Sequence, residues 1–279
     1  MTNEHVLEYL TSLAEGRDDI RVLVLNGSLV NPNVSTDRFQ DVDVTCFVDD
    51  VTAFIKDRSW MAPLGDVLIM QTPDEVPAQS VYECFAFLVQ FAAGHRVDLT
   101  VRPMRDVQAM IHEDSLSLVL IDKDEIAGQP IPSDDTYRIR RPSRFDYEQC
   151  WNEFWWVSLY VVKGIKRGQL LYAFDHVTIM RTMLRQMLAW DVGFATNFTA
   201  NGGKSGDGLK RHLAPGVWQT YLDTYTLVEV TAMETAHAAL VEQFERVSRR
   251  VAERAGYPFA EMEARRIRDA FSTLWCSND

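Results

Sequence analysis

The chain has 279 residues, and its 28 lysines and arginines face 40 aspartates and glutamates, which gives a formal net charge of −12. Hydrophobic residues make up 47% and charged residues 24%, a composition typical of folded globular proteins rather than disordered ones. Non-specific nucleic-acid binding needs a basic surface, so we expect no nucleic-acid partner for so acidic a chain.

The acidic excess lies entirely in the first half of the chain. Residues 1–142 carry 24 acidic and 12 basic side chains, whereas residues 143–279 carry 16 of each. The first half therefore has a net charge of −12 and the second half is neutral.

We recognise no secretory signal or membrane-spanning segment in the sequence. The first residues lack the basic and apolar regions of a secretory signal, and the longest apolar run, around residues 154–162, is too short to span a bilayer. The four cysteines form no C-x-x-C pair. We therefore expect a cytoplasmic protein with reduced thiols, no structural zinc and no membrane partner.

The hydrophobic pattern of the first half predicts a mixed α/β domain. Residues 4–15 show helical spacing, the β-branched run 20–25 ends in an Asn-Gly-Ser turn, and residues 41–48 alternate as in a half-buried strand. Further strands are predicted at 67–71, 85–91 and 96–102, then a helix at 104–112 and a strand or short helix at 116–121. We expect a largely antiparallel or mixed sheet.

The second half has a different character. Residues 129–142 contain three prolines and no hydrophobic period, which indicates a linker. After it, helices are predicted at 146–167, 170–191, about 214–256 and 258–275, with a glycine-rich loop at 197–208. We therefore predict one domain over residues 1–135 and a helical domain over residues 136–279.

Carboxylates and a glycine turn coincide in the first half. Asp41 and Asp43 share one face of a predicted strand, about 7 Å apart, and Asp98 lies in a later strand. Carboxylates so close repel one another unless a cation lies between them, and Mg²⁺ prefers oxygen ligands and phosphates. Each feature alone is common in turns and solvated strand ends. Together they predict a divalent-metal site beside a phosphate-binding turn at Gly27 and Ser28.

This order of features resembles the nucleotidyltransferase superfamily that includes DNA polymerase β. The chain is more closely similar to the aminoglycoside 6-adenylyltransferases, also called streptomycin adenylyltransferases. The resemblance is carried by residues 25–48 (LNGSLVNPNVSTDRFQDVDVTCFV), 96–101 (RVDLTV), 121–124 (IDKD), 141–143 (RPS), 152–155 (NEFW), 160–165 (YVVKGI), 171–176 (LYAFDH) and 203–204 (GK). It covers almost the whole chain.

The resemblance implies an α+β fold, with an N-terminal polymerase-β-like nucleotidyltransferase domain containing a mixed sheet, followed by a C-terminal helical bundle that binds substrate. It implies Mg²⁺-dependent transfer of AMP from ATP to a hydroxyl of streptomycin, release of pyrophosphate and antibiotic resistance. Asp41, Asp43 and Asp98 match the metal-binding carboxylates of the family. Ser28 matches the serine that contacts the nucleotide phosphates, and Asp175 matches the position expected to act as general base.

The triphosphate also needs cations. Lys163 and the glycine-rich Lys204 are candidates for that role in the neutral half. Solvated surface lysines explain both positions equally well, so the two interpretations stay open.

The acceptor side needs carboxylates and aromatic faces, because streptomycin carries two guanidinium groups. Besides Asp175, the candidates are Trp151 and Glu153, with Trp151, Trp155 and Glu153 predicted to share a helix face. Two further aromatic residues of this segment, Trp156 and Tyr160, are interpreted as core residues.

One residue departs from the family pattern. Leu29 follows the Gly27-Ser28 pair, where the family commonly has arginine. Three explanations stay open: Lys163 and Lys204 supply the missing positive charge, the affinity for the nucleotide is lower than in the family, or the acceptor differs from that of the family.

Two alternatives to the leading interpretation therefore stay open: a nucleotidyltransferase acting on another small or protein hydroxyl, and a non-catalytic nucleotide-binding module. The presence of all three carboxylates argues against the second. We expect a monomer whose partners are ATP and a cationic aminoglycoside, which the acidic half attracts electrostatically.

Overall fold

The computed structural model describes residues 1–276 and divides the chain into two compact units. The first unit comprises Met1–Thr136, and the second begins at Tyr137. Each unit has its own hydrophobic core.

The first unit is built on a six-stranded sheet with the order β3-β4-β5-β2-β1-β6. The strands are β1 (Ile20–Asn26), β2 (Val42–Val48), β3 (Val67–Gln71), β4 (Phe85–Phe91), β5 (Arg96–Pro103) and β6 (Ser117–Asp122). Neighbouring strands run antiparallel except for the parallel pair β2 and β5. The sheet is therefore mixed, as the sequence predicted.

Alternating burial along β4 and β5 shows that one face of this sheet carries most of the core. Helix α1 (Asn3–Gly16) contributes Val6, Leu10 and Ala14 to that core, together with the short helix α2 (Val51–Phe54). On the opposite face, α3 (Val107–Glu113) packs with a smaller cluster that includes Phe47. This second face carries the polar side chains at the beginnings of β2 and β5.

The second unit is helical. Its helices are α4 (Arg144–Lys166), α5 (Leu170–Ala195), α6 (Pro215–Asp223), α7 (Val230–Ala255) and α8 (Glu261–Cys276). Helix α4 begins at a reciprocal cap in which the Ser143 hydroxyl accepts from the Asp146 N–H and the Asp146 carboxylate accepts from the Ser143 N–H. Phe154 of α4 stacks on Phe244 of α7 in the core. A mixed sheet followed by a helical unit confirms the predicted α+β class.

The structure corrects the predicted helix over residues 214–256. The helix is interrupted between Asp223 and Val230, at the fully buried Thr224. The Thr224 carbonyl accepts a hydrogen bond from Arg181, and its hydroxyl donates to the Tyr221 carbonyl. The Thr224 carbonyl is thus hydrogen-bonded outside its own helix, and continuous helical periodicity gives no sign of this contact.

A 3-10 segment, Lys204–Arg211, begins inside the predicted glycine-rich loop and extends three residues beyond it. A Cβ atom on Gly203 would lie 2.6 Å from the Gly208 nitrogen, so the loop folds closely on itself. In the part of the chain that is described, every helix falls short of the length or hydropathy needed to cross a bilayer.

Candidate active site

The three predicted carboxylates lie at one end of the parallel strand pair. Asp43 of β2 is the register partner of Asp98 of β5, and Asp41 precedes Asp43 by two residues. Paired residues of neighbouring strands point to the same face, and adjacent strands are about 4.8 Å apart. The structure therefore brings all three side chains to the same polar patch, where Asp41 and Asp98 remain partly exposed.

Arg96 is the cation of this patch. Its Nε and Nη2 atoms donate to the two carboxylate oxygens of Asp98, each at 2.8 Å, and Nε lies 3.7 Å from Asp41 Oδ2. The hydrogen bonds to Asp98 raise the pKa of the guanidinium, and the charges of Asp41 and Asp43 add to this effect. Sequence reasoning missed Arg96, although its position two residues before Asp98 in an alternating strand places both on one face.

Gly27 gives Asp43 the room for its carboxylate. Its φ of +76° lies in the left-handed region, and a Cβ atom there would come within 2.6 Å of Asp43 Oδ2. The Gly27 N–H donates to the Leu116 carbonyl at 3.1 Å, which ties the turn to the chain just before β6. Glycine is therefore required here by both the backbone and the neighbouring carboxylate.

Ser28 and Leu29 continue this turn as a 3-10 segment, Gly27–Val30. The Ser28 carbonyl accepts from Gln40 Nε2 at 3.1 Å. Leu29, the departure from the family pattern, packs against the hydrophobic core of the first unit. This contact gives a structural reason for a leucine at that position.

Asn26 connects three strand ends beneath the turn. It is the register partner of Asp43, and its Nδ2 donates to Ser117 Oγ at 2.9 Å. Its Oδ1 accepts from the Thr45 hydroxyl at 3.0 Å. These bonds hold β1, β2 and β6 in place next to the carboxylates. Sequence reasoning quoted Asn26 only as part of a turn.

The donor set of the patch suits a hard divalent cation, because three carboxylates offer oxygen ligands beside a turn that has no Cβ in the way. In this conformation no group of three or more histidine, cysteine or acidic side chains among residues 1–276 is arranged to hold a metal ion. Both oxygens of Asp98 accept hydrogen bonds from Arg96, so Arg96 competes with any cation for this carboxylate.

The five remaining predicted residues lie in the helical unit, and all of them except Trp151 are exposed. Asp175 is on α5, Lys163 is on α4 with its Nζ 5.8 Å from the centre of the Tyr160 ring, and Lys204 begins the 3-10 segment. Arg185 of α5 donates to the Ser205 carbonyl at 3.1 Å and so fastens the glycine-rich loop to the helix. Sequence reasoning did not identify Arg185.

The structure confirms that Trp151 and Trp155 share one face of α4, but the prediction that Glu153 lies on the same face is wrong. Trp151 packs against the helical core, 5.9 Å from the buried Trp155, whereas Glu153 is exposed on the opposite side of the helix. A helix turns about 100° per residue, so residues two apart cannot share a face.

The interpretation of Trp156 as a core residue is also wrong, because 58% of its surface is exposed. Tyr160, expected in the core as well, is only partly buried.

A glycine turn beside strand-borne carboxylates, on a mixed sheet followed by a helical unit, is the arrangement of a nucleotidyltransferase. The family model of streptomycin adenylyltransferase matches residues 1–273. The chain belongs to the streptomycin adenylyltransferase family and is thus an enzyme of the nucleotidyltransferase class.

Curated relatives agree over most of the chain. An aminoglycoside 6-adenylyltransferase of Bacillus subtilis (strain 168) is 30% identical over 267 residues, which cover 94% of each chain. A protein of the same name from Campylobacter jejuni is 31% identical and covers 92% of this chain and 91% of its own. The crystal structure of an aminoglycoside 6-adenyltransferase from Bacillus subtilis aligns with 26% identity over 99% of this chain and 100% of that one, with a TM-score of 0.49.

Proposed function

We propose that this enzyme transfers AMP from ATP to a hydroxyl group of streptomycin, releases pyrophosphate and thereby confers resistance to the drug. The observation that carries the proposal is the Asp43–Asp98 register pair beside the Gly27 turn. Supporting it, relatives that match over more than nine-tenths of the chain are named aminoglycoside 6-adenylyltransferases. Because ATP is the donor, we place the reaction in the cytoplasm, with the protein acting as a monomer.

In this proposal the first unit supplies the metal ligands and the phosphate-binding turn, and the helical unit supplies two lysines. Asp41, Asp43 and Asp98 hold Mg²⁺, which neutralises phosphate charge when bound. Gly27 allows the backbone to approach the phosphates closely, and Ser28 offers its hydroxyl to them. Lys163 and Lys204 add positive charge for the triphosphate.

The chemical step is a substitution at the α-phosphorus of ATP. A hydroxyl oxygen of the acceptor forms a bond to the α-phosphorus, and the bond from phosphorus to the oxygen bridging to the β-phosphate breaks. Asp175 accepts the hydroxyl proton, and pyrophosphate leaves with the electron pair of the broken bond. Glu153 and Asp175 supply negative charge for the cationic acceptor, and Trp151 stays a predicted contact despite its packing against the core.

The test is a pyrophosphate-release assay with ATP, Mg²⁺ and one drug at a time: streptomycin, spectinomycin or kanamycin. We expect streptomycin-dependent release, one AMP added to each drug molecule, and no release by an Asp43→Asn variant that melts like the wild type. Release that does not exceed the drug-free control would contradict the proposal. Pyrophosphate release only with spectinomycin or kanamycin would show that the acceptor is not streptomycin, while the proposed nucleotidyltransferase chemistry would stand.

A further inference from the structure

Four aromatic side chains form a continuous surface on the helical unit. Trp156 and Tyr160 of α4 meet Tyr172 and His176 of α5, and we call these four residues the aromatic cluster. The ring centres of Trp156 and Tyr160 are 6.0 Å apart, those of Tyr160 and His176 5.2 Å, and those of Tyr172 and His176 4.2 Å. The cluster is thus one connected set of rings that spans two helices.

Two rings of the cluster are exposed to solvent, although large aromatic side chains are usually buried. Trp156 is 58% exposed and Tyr172 43% exposed, while the adjacent Trp155 is 1% exposed. Large aromatic side chains that stay in water carry a hydrophobic cost, and they are enriched at binding surfaces.

The rings of the cluster are also held in place before any ligand arrives. A ring N–H of His176, at Nδ1, donates to the Tyr172 carbonyl 2.7 Å away. The edge-to-face contacts of Tyr160 with Trp156 and with His176 restrict the remaining rings.

The surroundings of the cluster favour a positively charged ligand. Glu153 lies three residues before Trp156 on α4, and Asp175 precedes His176 on α5. Both carboxylates are exposed, and neither forms an ion pair within residues 1–276. Lys163 places its ammonium group 5.8 Å from the centre of the Tyr160 ring, so that ring already has a cation beside it, and Trp156 and Tyr172 are the rings of the cluster exposed to a ligand.

We propose that the aromatic cluster, with Glu153 and Asp175, is the subsite that receives a guanidinium group of the acceptor and makes the enzyme select guanidinium-bearing aminoglycosides. A guanidinium is planar and weakly hydrated, so it stacks on aromatic faces while its N–H groups reach carboxylates. An ammonium group lacks the planar face, and an uncharged apolar partner would leave the two carboxylates without counter-charge. This inference rests on the proposed function, because it describes the acceptor site of that reaction.

Trp156 supplies the test, because it is the most exposed ring of the cluster. Trp156→Leu keeps an apolar side chain and removes the π face, whereas Trp156→Phe retains a smaller one. Phe145→Leu is the matched control, since Phe145 is a 67% exposed aromatic residue on the same helix, eleven positions earlier. All three substitutions are on the surface, so we expect melting temperatures close to that of the wild type.

The measurements are the streptomycin Kd by calorimetry without ATP, and the KM values for streptomycin and ATP. We expect Trp156→Leu to raise the streptomycin Kd and KM about tenfold and to leave the ATP KM unchanged, within the range of a partly desolvated cation–π contact. Trp156→Phe should restore most of the affinity, and Phe145→Leu should bind like the wild type. Unchanged streptomycin binding in Trp156→Leu, or an equal rise in the KM for ATP, would overturn the inference.

A second arm separates this inference from the proposed function. Saturation-transfer NMR compares n-butylguanidinium with the uncharged n-butylurea on the wild type and on Trp156→Leu. Guanidinium-selective binding that is lost in Trp156→Leu supports the subsite even if no pyrophosphate is released with streptomycin. Equal signals from the two probes on the wild type would refute the subsite even if adenylylation proceeds.

Discussion

The guanidinium of Arg96 holds Asp98 through two parallel hydrogen bonds of 2.8 Å. The same guanidinium lies 3.7 Å from Asp41, so one positive charge serves two of the three carboxylates proposed to bind metal. Arg96 thus offsets one of the three negative charges of the patch, and it competes with any divalent cation for Asp98.

This competition predicts the behaviour of an Arg96→Ala variant. Without added metal the variant should be less stable by about 1 kcal/mol, because the exposed ion pair is lost and the carboxylates repel. Mg²⁺ should raise its melting temperature more than that of the wild type, since Asp98 no longer has to be released. Thermal melts without Mg²⁺ and at about 10 mM Mg²⁺, a concentration chosen to saturate a weak site, measure the loss of stability and the response to the metal.

Arg102→Ala on the same strand is the control for that variant, because within residues 1–276 the carboxylate that Arg102 approaches is that of Asp106, at 4.0 Å. Its response to Mg²⁺ should equal that of the wild type. An Arg96→Ala variant whose melting temperature responds to Mg²⁺ no more than this control would contradict the competition.

A Gly27→Ala variant tests the close approach of the turn to Asp43. The added Cβ would lie 2.6 Å from the Asp43 carboxylate at a φ of +76°, so it combines backbone strain with a clash. Gly128→Ala is matched for strain, with a φ of +71° and open space around the Cβ position.

We expect both alanine variants to lose about 1 kcal/mol from strain, and only Gly27→Ala to lose turnover, by at least about tenfold. Urea unfolding and the pyrophosphate assay measure the two effects. Equal turnover in the two variants would show that Asp43 does not depend on the turn.

An Asp175→Asn variant tests the proposed general base. The amide cannot accept a proton, so turnover should fall about 10²- to 10⁴-fold while the Kd for ATP stays within about twofold of the wild type. Asp269→Asn, an exposed aspartate on α8, should leave both unchanged. Near-native turnover of Asp175→Asn would remove Asp175 from this role.

His237 should make the stability of the helical unit depend on pH. The residue is 3% exposed, and its Nε2 lies 3.1 Å from the Ser158 carbonyl. Burial lowers the pKa of His237 from its ordinary 6.5 to about 4, so between these values the unfolded chain binds a proton that the folded chain does not. The free energy of unfolding therefore falls as the pH drops from 6.5 to 4, by roughly 3 kcal/mol in total.

Urea unfolding at several pH values across that window measures the effect in the wild type and in a His237→Leu variant. The variant should lose this part of the pH dependence, and His212→Leu at an exposed histidine should keep it. A wild type and a His237→Leu variant with parallel pH profiles would show that His237 is not the titrating group.

Local sequence patterns determined most of the secondary structure and the position of the glycine turn. Strict alternation over residues 41–48 was enough to put Asp41 and Asp43 on one face, because side chains in a strand repeat every two residues. Turn chemistry located Gly27, and helical periodicity found α4, α5 and α8 in outline but merged α6 and α7 into one helix. Family resemblance rested on the same short segments and was confirmed by the family match over residues 1–273.

Long-range pairing decided the rest. Strand β2 runs parallel to β5, and this pairing places Asp43 opposite Asp98. It depends on contacts between residues about fifty positions apart, which no local pattern specifies. The break at Thr224 depends on Arg181 reaching its carbonyl from another helix. Residues 154–157 are apolar in every position, so their sequence cannot say which tryptophan is buried. The packing of α4 against its neighbours buries Trp155 and leaves Trp156 in solvent, because a helix can turn only one side toward its core.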